Sequence, residues 1–235
     1  MNNIVIFNKI KFYNYSFKSV LNKINKGGYL VAPAASALTN IDKNKIYHKS
    51  LIDSDIAILD SGFFCILLRI FRKAKVSKFS GYLFLKKFLN VGFKKKTKFF
   101  LIDPNKTDKK LNKLYLNSKN IHNLRSYIAP FYSSDGLKDE KLLKEIKKYK
   151  PRYILINLGG EIQEILAMYL KKNTNFKTSI ICTGAAIAFL TKSQAPINDF
   201  VDKYYLGWIF RIIFSPRKHF LRALKSIFLI KFFIF

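Results

Sequence analysis

Five short apolar runs punctuate the chain, at Tyr29–Ala32, Ile56–Leu59, Lys98–Ile102, Tyr153–Asn157 and Ser179–Cys182. Continuous apolar runs of this length read as strands buried on both faces. The stretches between them have helical spacing. Gly62–Phe71 is apolar nearly all round, Lys138–Lys150 alternates charge and stops before Pro151, and Glu164–Lys172 follows the Gly159-Gly160 turn. Strands alternating with helices predict an α/β fold, a Rossmann-like parallel sheet with flanking helices. Ligands of such sheets bind at the carboxyl ends of the strands. The loops after Ile58, Ile102, Ile156 and Cys182 are therefore the places to look for chemistry.

The pattern changes after Cys182. Thr191–Asp202 is polar, contains Ala195-Pro196, and reads as a linker. From Tyr204 onward there are six Lys or Arg, no Asp or Glu, and a dense set of aromatic and aliphatic residues. Ser215-Pro216 is a helix start, with Ser as cap and Pro in the first turn. Lys218, Arg222 and Lys225 then fall on one face, while Leu221, Leu224, Phe228 and Phe232-Phe233 supply apolar surface. The chain thus divides into an α/β domain over 1–202 and a C-terminal basic amphipathic helical appendage over 203–235. Such a helix lies in the plane of a bilayer interface, although a buried terminal helix or a dimer contact would share the pattern.

Composition sharpens this picture in three ways. Aromatic residues at 16% and apolar residues at 49% exclude a disordered chain. The formal charge of +29 points to polyanions, either nucleic acid or an anionic membrane surface. The charge is carried by 36 Lys against 7 Arg, with three of the Arg between 211 and 222. Base-edge readout leans on bidentate Arg, and no nucleic-acid module is visible, so no nucleic-acid partner is expected. Cys65 and Cys182 sit in apolar runs and read as buried free thiols. The N-terminal segment does not have the form of a signal peptide, and no segment has about 18 uncharged apolar residues, so no ordinary spanning helix is expected.

The candidate chemistry sits on the loops named above. Asp60 follows a strand and precedes Ser61-Gly62, and a carboxylate on such a rigid tip suits a general base. It would equally suit the N-cap of the next helix. Gly159-Gly160 and Thr183-Gly184 are small-residue turns between strand and helix, where backbone N–H groups suit a phosphate or a sugar hydroxyl. Tight structural turns would look the same. Asp53-Ser54-Asp55 resembles a paired-Asp metal signature, but it lies before its strand, at the wrong end of the sheet. His48, His122 and His219 are scattered, so neither a metal site nor a cofactor is expected.

Five segments, in order, resemble the WecG/TagA/CpsF glycosyltransferases: SDIAILDSG, KFSGYLFLKKFL, PRYILINLGGEIQE, ICTGAAIAFLTKSQAP and YYLGWIFRIIFSPRKHFLRAL. The resemblance covers roughly residues 28–225. It implies inverting, metal-independent transfer of a sugar, of the N-acetylhexosamine type, from a nucleotide-diphosphate donor to a sugar on a polyprenyl diphosphate. That chemistry belongs to bacterial surface-polysaccharide synthesis at the cytoplasmic face of the plasma membrane, with the enzyme bound peripherally to an anionic surface. A second copy of the chain is a further candidate partner, as a homo-oligomer. By resemblance, Asp60 takes the proton of the acceptor hydroxyl. Lys78 and Ser80, with Arg211, Arg217, Lys218 and Arg222, bind the acceptor and diphosphate. Gly159, Gly160, Gln163, Glu164, Thr183 and Gly184 line the donor site. The chain departs from the family pattern at Ala34, at Asp103-Pro104-Asn105, at Glu161-Ile162 and at Ala185 to Ala188. A non-catalytic scaffold relative would show departures of this kind.

Overall fold

The computed structural model describes residues 4–133, 137–184, 186–193, 213 and 216–234. Eight strands form one mixed sheet: β1 (Ile4–Phe7), β2 (Ile10–Tyr13), β3 (Gly28–Val31), β4 (Ile56–Ile58), β5 (Phe99–Asp103), β6 (Leu124–Ile128), β7 (Tyr153–Ile156) and β8 (Ser179–Cys182). Their spatial order is β1-β2-β4-β3-β8-β7-β5-β6, antiparallel only between β1 and β2 and parallel elsewhere. All five apolar runs are strands of this sheet. They occupy its interior, where both faces are covered and alternation has no reason to appear.

Three strands are not apparent from those runs. β1 and β2 form an edge hairpin whose turn residues, Asn8 and Lys9, both have positive φ (44° and 66°). Two left-handed residues make the tight turn whose twist matches an antiparallel pair. β6 closes the opposite edge and is only partly buried, so its Arg125 and Ser126 break any apolar run.

Alternating side chains divide the core into two layers. On one face Tyr29, Val31, Ala57, Phe100, Ile102, Ile154, Ile156 and Cys182 pack under α2 (Ala35–Leu38), α3 (Lys45–Ile52), α4 (Gly62–Arg72), α7 (Glu140–Tyr149) and α8 (Ile162–Asn173). On the other face Leu30, Ile58, Leu101, Leu155 and Ile181 pack under α1 (Phe17–Ile24), α5 (Gly81–Leu89), α6 (Lys106–Ser118) and α9 (Ala186–Leu190). Cys65 and Cys182 are buried free thiols.

The C-terminal segment forms α10 (Pro216–Ile227), a 3-10 turn (Phe228–Ile230) and α11 (Lys231–Ile234). It packs on the α4 side of the sheet. Leu229 is fully buried in that layer, and Phe233 stacks on Phe7 with ring centroids 5.3 Å apart. α10 lies against α2. Of the linker expected over Thr191–Asp202, positions 194–202 lie outside the described residues.

Candidate active site

One registered row of residues crosses five strands near their carboxyl ends: Ala57, Val31, Cys182, Ile156 and Ile102. The next residue of each strand or strand exit, in the same spatial order, is Ile58, Ala32, Thr183, Asn157 and Asp103. Because side chains alternate, this second row points to the α5 and α6 side. The sheet thus brings to one edge residues that lie up to 151 positions apart in sequence.

Asp60 stands two residues beyond Ile58. Ser61, not Asp60, caps α4, with its hydroxyl accepting from Phe64 N–H at 3.3 Å. The Asp60 carboxylate instead accepts from the backbone N–H of Gly81 at 2.7 Å. Gly81 opens α5, so Asp60 lies where two helices begin, and their N-terminal partial positive charges favour an anion. The segment carrying Lys78 reaches Asp60 because Phe79 N–H donates to Leu59 C=O at 2.9 Å. That segment is pinned upstream by Arg69, which donates twice to Val76 C=O, and by Asn14, which bridges Lys75 C=O and Ser77 N–H. Burial raises the Cys65 thiol to about 11; Arg69 and Lys78 oppose that rise and Asp60 adds to it. Asp60 and Lys78 are therefore both within electrostatic reach of one buried sulfur. Ser80 is 3% exposed and caps α5, accepting from Leu83 N–H at 3.0 Å.

Gly81 also explains how the strand tips converge. A Cβ at this position would sit 3.2 Å from Ala32 Cβ and 3.3 Å from Thr183 Cβ, so glycine allows α5 to seat directly on the ends of β3 and β8.

The donor-side candidates form a connected group. Gln163 Oε1 accepts from Gly184 N–H at 2.9 Å, and Gly184 holds a left-handed φ of 58°. Gln163 Nε2 donates to Glu164 Oε1 at 2.9 Å. Glu164 is 1% exposed, beside Gln163, and its Oε2 has no partner among the described residues. Burial pushes its carboxyl up to about 7, against the hydrogen bonds from its own backbone N–H and from Gln163. Gly159 and Gly160 are exposed. Gly160 faces Ala37 of α2, and Glu161, at φ 74°, accepts from Asn40 Nδ2 at 2.6 Å. The glycine turn is thereby tied to the exit of β3, beside α10.

Among the basic candidates, Arg222 is exposed on α10. Arg211 and the side chains of Arg217 and Lys218 lie outside the described residues. Asp53 and Asp55 lie at the opposite end of the sheet, paired with lysines: Asp53 with Lys49 and Lys172, Asp55 with Lys171 at 2.8 Å. Among the described residues no group of three or more His, Cys, Asp or Glu is placed to hold a metal ion.

The sequence reading missed a second polar cluster on the same edge. Asp103, fully buried at the end of β5, accepts through Oδ1 from Asn112 Nδ2 and from Asn157 Nδ2, both at 2.7 Å. Its signal was present as a lone carboxylate closing the apolar run FFLID.

A parallel α/β sheet with a carboxylate held at one strand tip and exposed glycine turns along the same edge puts polar groups where ligands of such sheets bind. The glycosyl transferase WecG/TagA/CpsF family model matches residues 5–235, and the chain belongs to that family. Membership makes it a glycosyltransferase of cell-surface polysaccharide synthesis, a family implying a nucleotide sugar and a lipid-linked acceptor as substrate classes. No curated protein matches the chain.

Proposed function

We propose that this protein moves a sugar of the N-acetylhexosamine type, with inversion, from a nucleotide-diphosphate donor to a sugar carried on polyprenyl diphosphate. The observation that carries the reading is Asp60, held by Gly81 N–H at a strand tip among the ends of β3, β4 and β8. Asp60 takes the proton of the acceptor hydroxyl as its oxygen attacks the anomeric carbon. The bond from that carbon to the diphosphate oxygen breaks on the opposite side, and the diphosphate leaves with the electron pair. Lys78 and the basic residues of the C-terminal segment supply the countercharge, which takes the part a metal plays elsewhere. Gly159, Gly160, Thr183 and Gly184 present backbone to the donor. Gln163 orders the Gly184 turn, and Glu164 acts through Gln163.

α10 supports attachment to the cytoplasmic leaflet. Phe220, Leu221, Leu224, Ile227 and Phe228 are exposed beside Arg222 and Lys225, an arrangement suited to an anionic interface. Among the described residues no helix is long and apolar enough to cross a membrane.

Asp60→Asn tests the assignment, because the amide can still accept from Gly81 N–H while losing the base. Transfer should fall roughly 10²- to 10⁴-fold with melting temperature retained, read by mass spectrometry of the lipid-linked product across a panel of nucleotide sugars. Full activity in this variant removes Asp60 from the chemistry. The scaffold reading rests on the missing polar donor-site positions, among them Ala185 to Ala188, of which Ala186, Ile187 and Ala188 are buried. It gains only if the wild-type protein binds no nucleotide sugar in calorimetry.

A further inference from the structure

The Asp103 cluster has a geometry that folding alone does not require. Both amides that reach Asp103 converge on Oδ1, and Oδ2 is buried with no partner among the described residues. An unpaired buried carboxylate oxygen is costly. A carboxylate acceptor dictates that Asn157 turns Nδ2 inward, so its Oδ1 faces the other way. Asn157 keeps 9% of its surface exposed, and among the described residues no donor reaches its Oδ1. Asn112, on α6 and 2% exposed, holds Asp103 from behind. The result is an amide acceptor turned away from Asp103, its direction set by a buried carboxylate.

Its place in the sheet suggests what it meets. Asn157 stands three strands from β4, about 14 Å along the edge at the usual strand spacing. A sugar ring reacting beside Asp60 does not extend that far, whereas the nucleoside beyond a diphosphate does. The cluster also presents acceptors, which repel phosphate oxygens and attract hydroxyl donors. Carboxylate at a strand tip is the usual partner of a ribose hydroxyl in nucleotide-binding sheets.

We propose that Asn157 Oδ1 accepts a hydrogen bond from a ribose hydroxyl of the donor nucleotide, with Asp103, backed by Asn112, as the positioning residue that fixes the amide. This deepens the glycosyltransferase reading and rests on it. The test is calorimetric titration with UDP, GDP, CDP and ADP, followed by the 2′,3′-dideoxy form of whichever binds best. Wild type should bind the dideoxy form roughly threefold to tenfold more weakly, the worth of one hydrogen bond. Asn157→Leu should bring that ratio to about one, and Asp103→Asn, which lets the amide pair in either direction, should lower it. A purely structural cluster would change melting temperature and leave the ratio alone. If Asn157→Leu melts below the assay temperature, the ratio in Asp103→Asn decides. A ratio near one in wild type, or one unchanged in the folded variants, overturns this inference and leaves the glycosyltransferase reading standing. No binding of any nucleoside diphosphate to wild type overturns both.

Discussion

Glu164→Gln should make the protein more stable at alkaline pH and leave it little changed at acidic pH. Glu164 is 1% exposed, one of its oxygens is unpartnered among the described residues, and burial raises its carboxyl from 4.5 to about 7. At ~1.4 kcal/mol per pH unit, that gap makes the ionised form cost the native state about 3 kcal/mol. The folded protein holds its proton more tightly than the unfolded chain does. The stabilising effect of the protonated group is therefore complete below pH 4.5, falls between 4.5 and about 7, and is gone by pH 8. A glutamine cannot ionise and lacks this slope. Urea unfolding of both proteins at pH 5, 6, 7 and 8 isolates the residue, since the other titrating groups are shared. The variant should gain about 2 to 3 kcal/mol on wild type between pH 5 and pH 8. A stability difference that is the same at pH 5 and pH 8 would refute the reasoning and mean that the site admits water or a cation that solvates the charge.

Gly81→Ala adds a Cβ 3.2 Å from Ala32 Cβ, which should cost about 1–3 kcal/mol. It should also shift the N–H that holds Asp60, so turnover falls together with melting temperature; unchanged turnover would separate that contact from catalysis. Leu229→Ala opens a fully buried site and should cost about 2–5 kcal/mol in urea unfolding. Leu221→Glu combined with Leu224→Glu, on the exposed side of α10, should leave melting temperature in place and reduce sedimentation with anionic vesicles. Undiminished sedimentation would take α10 out of the membrane contact. Point changes are more discriminating here than deletion of 204–235, which would also strip Leu229 and Phe233 from the core.

Much of the parallel sheet was legible because its interior strands are continuous apolar runs and nothing in a half-exposed helix produces that pattern. The β1–β2 hairpin was not, since Asn8-Lys9 lacks the glycine that usually marks such a turn. β6 was hidden by the polar residues that its edge position permits. For Asp60, the strand exit was visible and its role ambiguous between base and helix cap. The structure gives the cap to Ser61, and the backbone N–H of Gly81, 21 positions away, donates to the Asp60 carboxylate. Glu164 stands beside Gln163 in sequence, yet a helix turns successive side chains about 100° apart, so one reaches the Gly184 turn while the other is sealed in the core.

The sequence by itself determined the fold class, the family and the strand tip that carries Asp60, because local pattern and motif order suffice for these. The tertiary structure alone decided which strand tips are neighbours. The order β4-β3-β8-β7-β5 follows from how the crossovers pack, a matter of long-range burial that no local stretch encodes. That order sets Asp103 against Asn157, 54 residues apart, and turns a departure from the family pattern into a built polar cluster. It also returns the C-terminal segment to the sheet. There Leu229 and Phe233 are taken up by the core while Leu221 and Leu224 stay exposed, a division set by which side of the helix meets the fold.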